Sequence, residues 1–152
     1  MNKISEHISY KEATVSPTSE RLGIANTPDD ATLKRMKLVA EKCFEPIRKW
    51  YGKPITITSF YRSAELNKAI GGSSKTSQHM VGEAIDFDAN KDNKTLFAWI
   101  RKNLEFDQLI WEYGDDNEPA WIHISYTEQR PNRQAVLRVK LDENKKMVWS
   151  NI

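Results

Sequence analysis

The strongest constraint on the fold is a change of period partway along the chain. Upstream, Leu33, Met36, Ala40, Cys43, Phe44, Ile47 and Trp50 recur at helical spacing and give one apolar face. A second helix, starting near Asp92 or Asn93, carries Leu96, Phe97, Ile100 and Leu104 inward. Downstream, residues 106–112, 121–126, 135–141 and 147–150 read as strands, separated by turns rich in Asp, Asn and Gly. Residues 55–59 alternate like a half-buried strand and residues 84–88 form another, with a short helix expected at 63–70 between them. Helical blocks followed by mostly hairpin-connected strands imply an α+β fold, an antiparallel sheet flanked by helices.

The punctuation fits this order. Thr27-Pro28-Asp29-Asp30 reads as a helix start, with Thr27 as cap and Pro28 in the first helical position. Pro46 lies inside the first apolar stripe and should kink it or end its regular part. Gly71-Gly72 stops the short helix, and residues 73–78 follow as a polar loop. Residues 1–26 are polar and read as an irregular segment packed across the domain.

At 152 residues the chain is expected to form a single domain, residues 1–152. A net charge of +2 is too weak for a nucleic-acid partner, which calls for a dense basic stripe. Cys43, the one cysteine, excludes an intramolecular disulfide and reads as a buried structural thiol within the apolar stripe. The N-terminal stretch MNKISEHISYKE holds no apolar core of secretion-signal length, and no run reaches the roughly 20 apolar residues of a transmembrane helix. The expected product is cytoplasmic as synthesised and monomeric.

Of the three histidines, two stand in informative places. His79 precedes Asp86 in Ser77-Gln78-His79-Met80-Val81-Gly82-Glu83-Ala84-Ile85-Asp86, and His123 stands in Trp121-Ile122-His123-Ile124-Ser125. Two imidazoles and a carboxylate satisfy the ligand count of a catalytic zinc site with a fourth position left for water. Gly82 and Ala84 would let the backbone turn tightly and leave space around an ion. By chemistry alone, a lone strand histidine such as His123 is more often a hydrogen-bonded structural residue, and Asp86 could likewise be a capping or ion-paired carboxylate.

The pattern Ser77-x-His79-x-x-Gly82-x-Ala84-x-Asp86, followed by His123 in a short strand, resembles the zinc D-Ala-D-Ala carboxypeptidases. They belong to a wider group of cell-wall metallopeptidases that share a fold with the hedgehog signalling domain. Thr58-Ser59-Phe60-Tyr61-Arg62-Ser63 and Phe106-Asp107-Gln108-Leu109-Ile110-Trp111-Glu112 extend the resemblance from about Ile4 to Tyr126. The resemblance implies a Zn2+ cofactor held by His79, Asp86 and His123, and a substrate-steadying role for Arg62. It also implies a peptidoglycan peptide as substrate.

Peptide hydrolysis further needs a carboxylate that moves a proton from water to the leaving amine. Some members of the group carry a glutamate three residues before the last histidine, where this chain has Ala120, and others a His-x-His pair, where it has Trp121. Glu112 is the favoured base if its strand pairs with residues 121–126, and Glu118, in the following loop, is the alternative. Ser77 is expected to support the ligand loop or only shape its turn, and Asp88 to be a hydrogen-bonded neighbour of the site or a surface residue. Trp111, Trp121, Tyr61 and Tyr126 are candidates for the cleft wall, with core packing expected for at least two of them; His7 is assigned no function.

The sequence thus points to a zinc metallopeptidase of the carboxypeptidase or endopeptidase type acting on stem or cross-link peptides. Such a product would reach the wall through a lysis or virion-associated route, as a phage or prophage lytic enzyme does. The alternative is a binding or structural module that keeps the zinc and has lost turnover.

Overall fold

The computed structural model describes residues 2–71 and 74–152. Gly72 and Ser73, which belong to the expected helix stop and polar loop, lie outside the described residues. The α+β class is as expected. The elements are β1 (Lys3–Ser5), β2 (Ile8–Ser9), α1 (Tyr10–Thr14), α2 (Pro17–Leu22), α3 (Asp30–Val39), α4 (Glu45–Tyr51), β3 (Thr56–Ser59), α5 (Ala64–Ile70), β4 (Ala84–Asp88), α6 (Asn93–Asn103), β5 (Gln108–Glu112), β6 (Trp121–Ser125), β7 (Ala135–Leu141) and β8 (Met147–Asn151). Among the described residues β3 to β8 form one six-stranded sheet in the order β3-β4-β6-β5-β7-β8.

Alternation along the strands decides what each face of this sheet does. Ile85, Phe87, Leu109, Trp111, Ile122 and Ile124 join Met36, Val39, Phe44, Ile47, Leu96 and Ile100 in one buried core. Each fully buried side chain of this size contributes about 1.5–3 kcal/mol. Their strand neighbours Asp86, Ile110, Glu112 and His123 face the other way and line a cleft of 1290 Å³. A one-residue slip in β4 or β6 would send the polar set into the core, so burial of the apolar face fixes the register.

Pro46 acts as a widened turn rather than a break. Residues Ala40–Phe44 form a π turn between α3 and α4, and the Glu45 N–H bonds the Ala40 carbonyl. Proline has no N–H to continue the i−4 ladder, and a π turn reroutes the bonds ahead of it. The helix start falls later than Thr27 and Pro28. Asp29 is the cap, accepting from the Thr32 N–H at 2.8 Å.

Two expectations are corrected. Residues 2–26 are not irregular: they form the β1–β2 hairpin and two short helices. Ser9 and Glu12 make a capping box on α1, and Ser16 caps α2 with Pro17 in its first turn. Ile4, Ile8 and Ala13 from this segment are buried in the core. The sheet is also not wholly antiparallel, because β5 and β7 run parallel, Gln108 opposite Ala135 through Glu112 opposite Val139. Residues 126–134 are too long for a hairpin turn and carry the chain past β5 to its far side. Buried Asp107 anchors that crossing through two-pronged bonds from Arg130 (2.6 and 2.9 Å) and Arg133 (3.1 and 2.8 Å), plus the Arg133 backbone N–H at 3.0 Å.

Candidate metal centre

His79 sits on a 3-10 turn, Gln78–Val81, whose capping Ser77 accepts from the His79 N–H at 3.3 Å. Gly82 ends the turn at φ 77°, and a Cβ there would meet Met36 Cγ at 2.7 Å and the Thr32 carbonyl at 2.8 Å. The tight turn was expected, but the space Gly82 leaves is filled by α3 and not by an ion. The turn is thereby pressed onto the helix, which fixes where the histidine stands.

The His79 ring is oriented from behind. Its Nδ1 lies 2.7 Å from the Phe60 carbonyl, and a carbonyl can only accept, so Nδ1 carries the proton. Nε2 then presents its lone pair to the site, 3.3 Å from Asp86 Oδ2. Across the β4–β6 pairing, Asp86 stands opposite His123, and Asp86 Oδ1 is 2.9 Å from His123 Nδ1. The two imidazole rings lie 5.2 Å apart, nearly perpendicular.

One donor atom from each of His79, Asp86 and His123 falls within 4.8 Å of the others, and all three residues are buried. Burial alone would raise the Asp86 carboxyl, but the facing imidazoles of His79 and His123 hold it well below the usual carboxylate range. Two imidazoles and a carboxylate converging at one end of a cleft are the donor set of a catalytic zinc site. A ligand histidine whose outer N–H is held by a carbonyl is the usual support for such a set. His123 meets the cluster through Nδ1, the nitrogen beside Asp86 Oδ1. The residues present therefore fit a divalent zinc ion.

Glu112 stands opposite Trp121 in the β5–β6 hairpin. One carboxylate oxygen accepts from the Trp121 indole N–H, and the other lies 3.8 Å from His123 Nδ1. Burial, and then the negative charge of Asp86, push the Glu112 carboxyl up to about 7. Glu118 is used elsewhere: it accepts from the Lys94 backbone N–H at 2.6 Å, in the first turn of α6. Of the two candidate bases, the pairing brings Glu112 to the histidines and leaves Glu118 at a helix start.

Arg62 lines the same cleft, with Nη2 3.4 Å from Ser77 Oγ and Nε buried without a partner among the described residues. Burial pulls its guanidinium below its usual value, against the attraction of Asp86 and Glu112. Ser77 thus touches both the ligand turn and the arginine. Asp88, despite sharing a face with Asp86, accepts from Asn90 N–H and Asn93 Nδ2 and organises the entry to α6. Trp111 is buried against Phe97, and Tyr61 and Tyr126 pack on the core, so of the four aromatics Trp121 is the one on the cleft.

His7 pairs with Glu45 at 2.6 Å on the surface, where Ser5 and the His7 N–H bind the same carboxylate. Cys43 is fully buried, and burial pushes its thiol far up. The sequence left the Trp121–Glu112 bond unread, although Trp121 and His123, two apart on one strand, had to share a face.

No helix among the described residues is long and apolar enough to cross a membrane. A search of curated proteins finds no match to this chain. The family model described as Peptidase M15, a family of zinc-dependent peptidases, matches residues 6–125. That span holds His79, Asp86, Glu112 and His123 and ends at the last residue of β6. By that match the chain belongs to the peptidase M15 family.

Proposed function

We propose that this chain is a zinc peptidase that hydrolyses peptidoglycan stem or cross-link peptides beside a D-alanine, as a carboxypeptidase or endopeptidase. The observation that carries this reading is the placement of Glu112, whose free oxygen is 3.8 Å from a histidine of the three-donor cluster, in one cleft with Arg62. His79, Asp86 and His123 would hold the zinc. A bound zinc supplies Lewis-acid chemistry to the scissile carbonyl and to water.

The remaining work falls to side chains of this chain. Glu112 takes the proton of the attacking water on its free oxygen and passes it to the leaving amine. Its upward-shifted carboxyl suits both halves of that transfer near neutral pH. Trp121 holds the other oxygen, so the carboxylate cannot swing away from the reacting centre. Arg62, preorganised beside Ser77, offers a planar fork to a terminal carboxylate or to the carbonyl oxygen. The absence of a glutamate at Ala120 is offset by one arriving from the paired strand.

The test is zinc content together with cleavage of purified peptidoglycan and of D-Ala-D-Ala peptides. Zinc bound at one equivalent, with release of D-alanine or cross-link peptides that stops in Glu112→Gln, is the expected result. Zinc retained with no release from several wall types would support the non-catalytic module instead.

A further inference from the structure

The family match ends at residue 125, yet the sheet continues through β7 and β8. This added hairpin is one wall of the same cleft. Leu137, Val139, Met147 and Trp149 line it from the two strands, and Lys145 and Lys146 line it from the connecting turn. Register ties the wall to the site: Trp121 stands opposite Glu112, Glu112 opposite Val139, and Val139 opposite Trp149. Neighbouring strands are about 4.8 Å apart, so Trp149 lies roughly 10 Å across the sheet from Glu112. About three extended residues of a bound peptide cover that distance.

The wall has an unusual surface. Trp149, opposite buried Val139, is 51% exposed, and Met147, opposite Leu141, is 46% exposed. The cleft lining carries five cationic side chains (Arg62, Arg130, Arg133, Lys145 and Lys146) against two carboxylates, Asp86 and Glu112. Arg130 and Arg133 share Asp107, and Arg62 lies in the field of Asp86 and Glu112. Lys145 and Lys146 form no ion pair among the described residues. Asp142 and Glu143 share the connecting turn but do not line the cleft, so the cleft side presents an apolar floor with a cationic rim, which selects a ligand with an aliphatic body and a negative end.

Resting on the peptidase reading above, the geometry points to a substrate subsite on the β7–β8 hairpin: Met147 and Trp149 receive the peptide about three residues from the bond cut, and Lys145 and Lys146 bind a free carboxylate carried there. The hairpin thereby makes the enzyme prefer a stem peptide with a free side-chain or terminal carboxylate over one in which that group is amidated.

The experiment uses the zinc-loaded full chain and two synthetic peptides that differ only in that remote group, carboxylate or carboxamide. The expected result is at least a tenfold preference in kcat/KM for the carboxylate, expressed in KM and shrinking as salt rises. Lys145→Glu with Lys146→Glu should abolish or reverse the preference, Lys145→Arg with Lys146→Arg should retain it, and Trp149→Ala should raise KM for both peptides. Lys145→Gln with Lys146→Gln serves as a milder second variant, with zinc content and thermal unfolding as folding controls. Equal handling of the two peptides by the wild type, or a preference that survives in the glutamate and glutamine variants, overturns the inference. Should neither peptide be cut, the same comparison is made by polarisation of labelled peptides. A lysine-dependent preference in binding then keeps the subsite while the peptidase reading fails, and equal binding overturns the subsite.

Discussion

Asp86 and Asp107 are both carboxylates withdrawn from water, and they are neutralised in opposite ways. Asp107 sits at the crossing end of the sheet, where two guanidinium forks and a backbone N–H occupy both oxygens. Asp86 sits at the cleft end, where its oxygens meet one nitrogen from each of two imidazoles, groups that can release a proton and turn a lone pair to an ion. The first arrangement is closed and fastens a loop. The second is open to a cation, as a metal centre requires. Burial and a lowered pKa are common to both, so those properties alone do not mark a functional carboxylate; the chemistry of the partners does.

Substitutions can break this contrast. The largest effect is expected from Asp86→Ala, which should remove the zinc and with it all measurable hydrolysis, read by metal analysis and peptide release. Next, Glu112→Gln should keep the zinc and lower kcat by about 10²–10⁴-fold, whereas Glu118→Gln should leave kcat near wild type. Asp107→Asn should do the reverse of Asp86→Ala, keeping zinc and losing about 3 kcal/mol of stability, a fall of roughly 6–12 °C in Tm.

The acid response sharpens the same point. Burial would raise Asp107, but Arg130 and Arg133 hold its carboxyl well below the ordinary range. Its stabilisation is therefore complete above the unfolded-state value of about 3.9 and is lost as pH falls below it. Thermal melts from pH 7 down to pH 3 should drop more steeply in the wild type than in Asp107→Asn. The smallest effect is expected from Trp121→Phe, which removes a donor that favours the charged form of Glu112. It should lower kcat roughly tenfold and move the acid limb of the rate profile to higher pH.

Much of this was legible in the residues. The strands read at 84–88 and 135–141 match β4 and β7 residue for residue, and the spacing from Ser77 to Asp86 marked the turn that carries His79. What escaped has physical causes. Helices of five and six residues, such as α1 and α2, are too short to display an apolar period, although Ser9 and Glu12 spelled a capping box. Asp29 took the cap from Thr27 because the helix begins two residues later than the proline suggested. Glu112 was favoured over Glu118 only on condition of a strand pairing that the structure supplies, whereas the Asp107–arginine clasp joins residues more than twenty apart and gave no local signal. The direction of β7 was hidden for the same reason.

That direction also has a consequence for the order of folding. The turn that carries His79 and the strands β4, β5 and β6 all precede β7 along the chain, and the three strands pair among themselves. The later hairpin can zip locally but has no berth until the edge of β5 is in place and residues 126–134 have travelled around it. A refolding chain is thus expected to bring the donor cluster together through β4 and β6 before the β7–β8 wall closes as a longer-range contact.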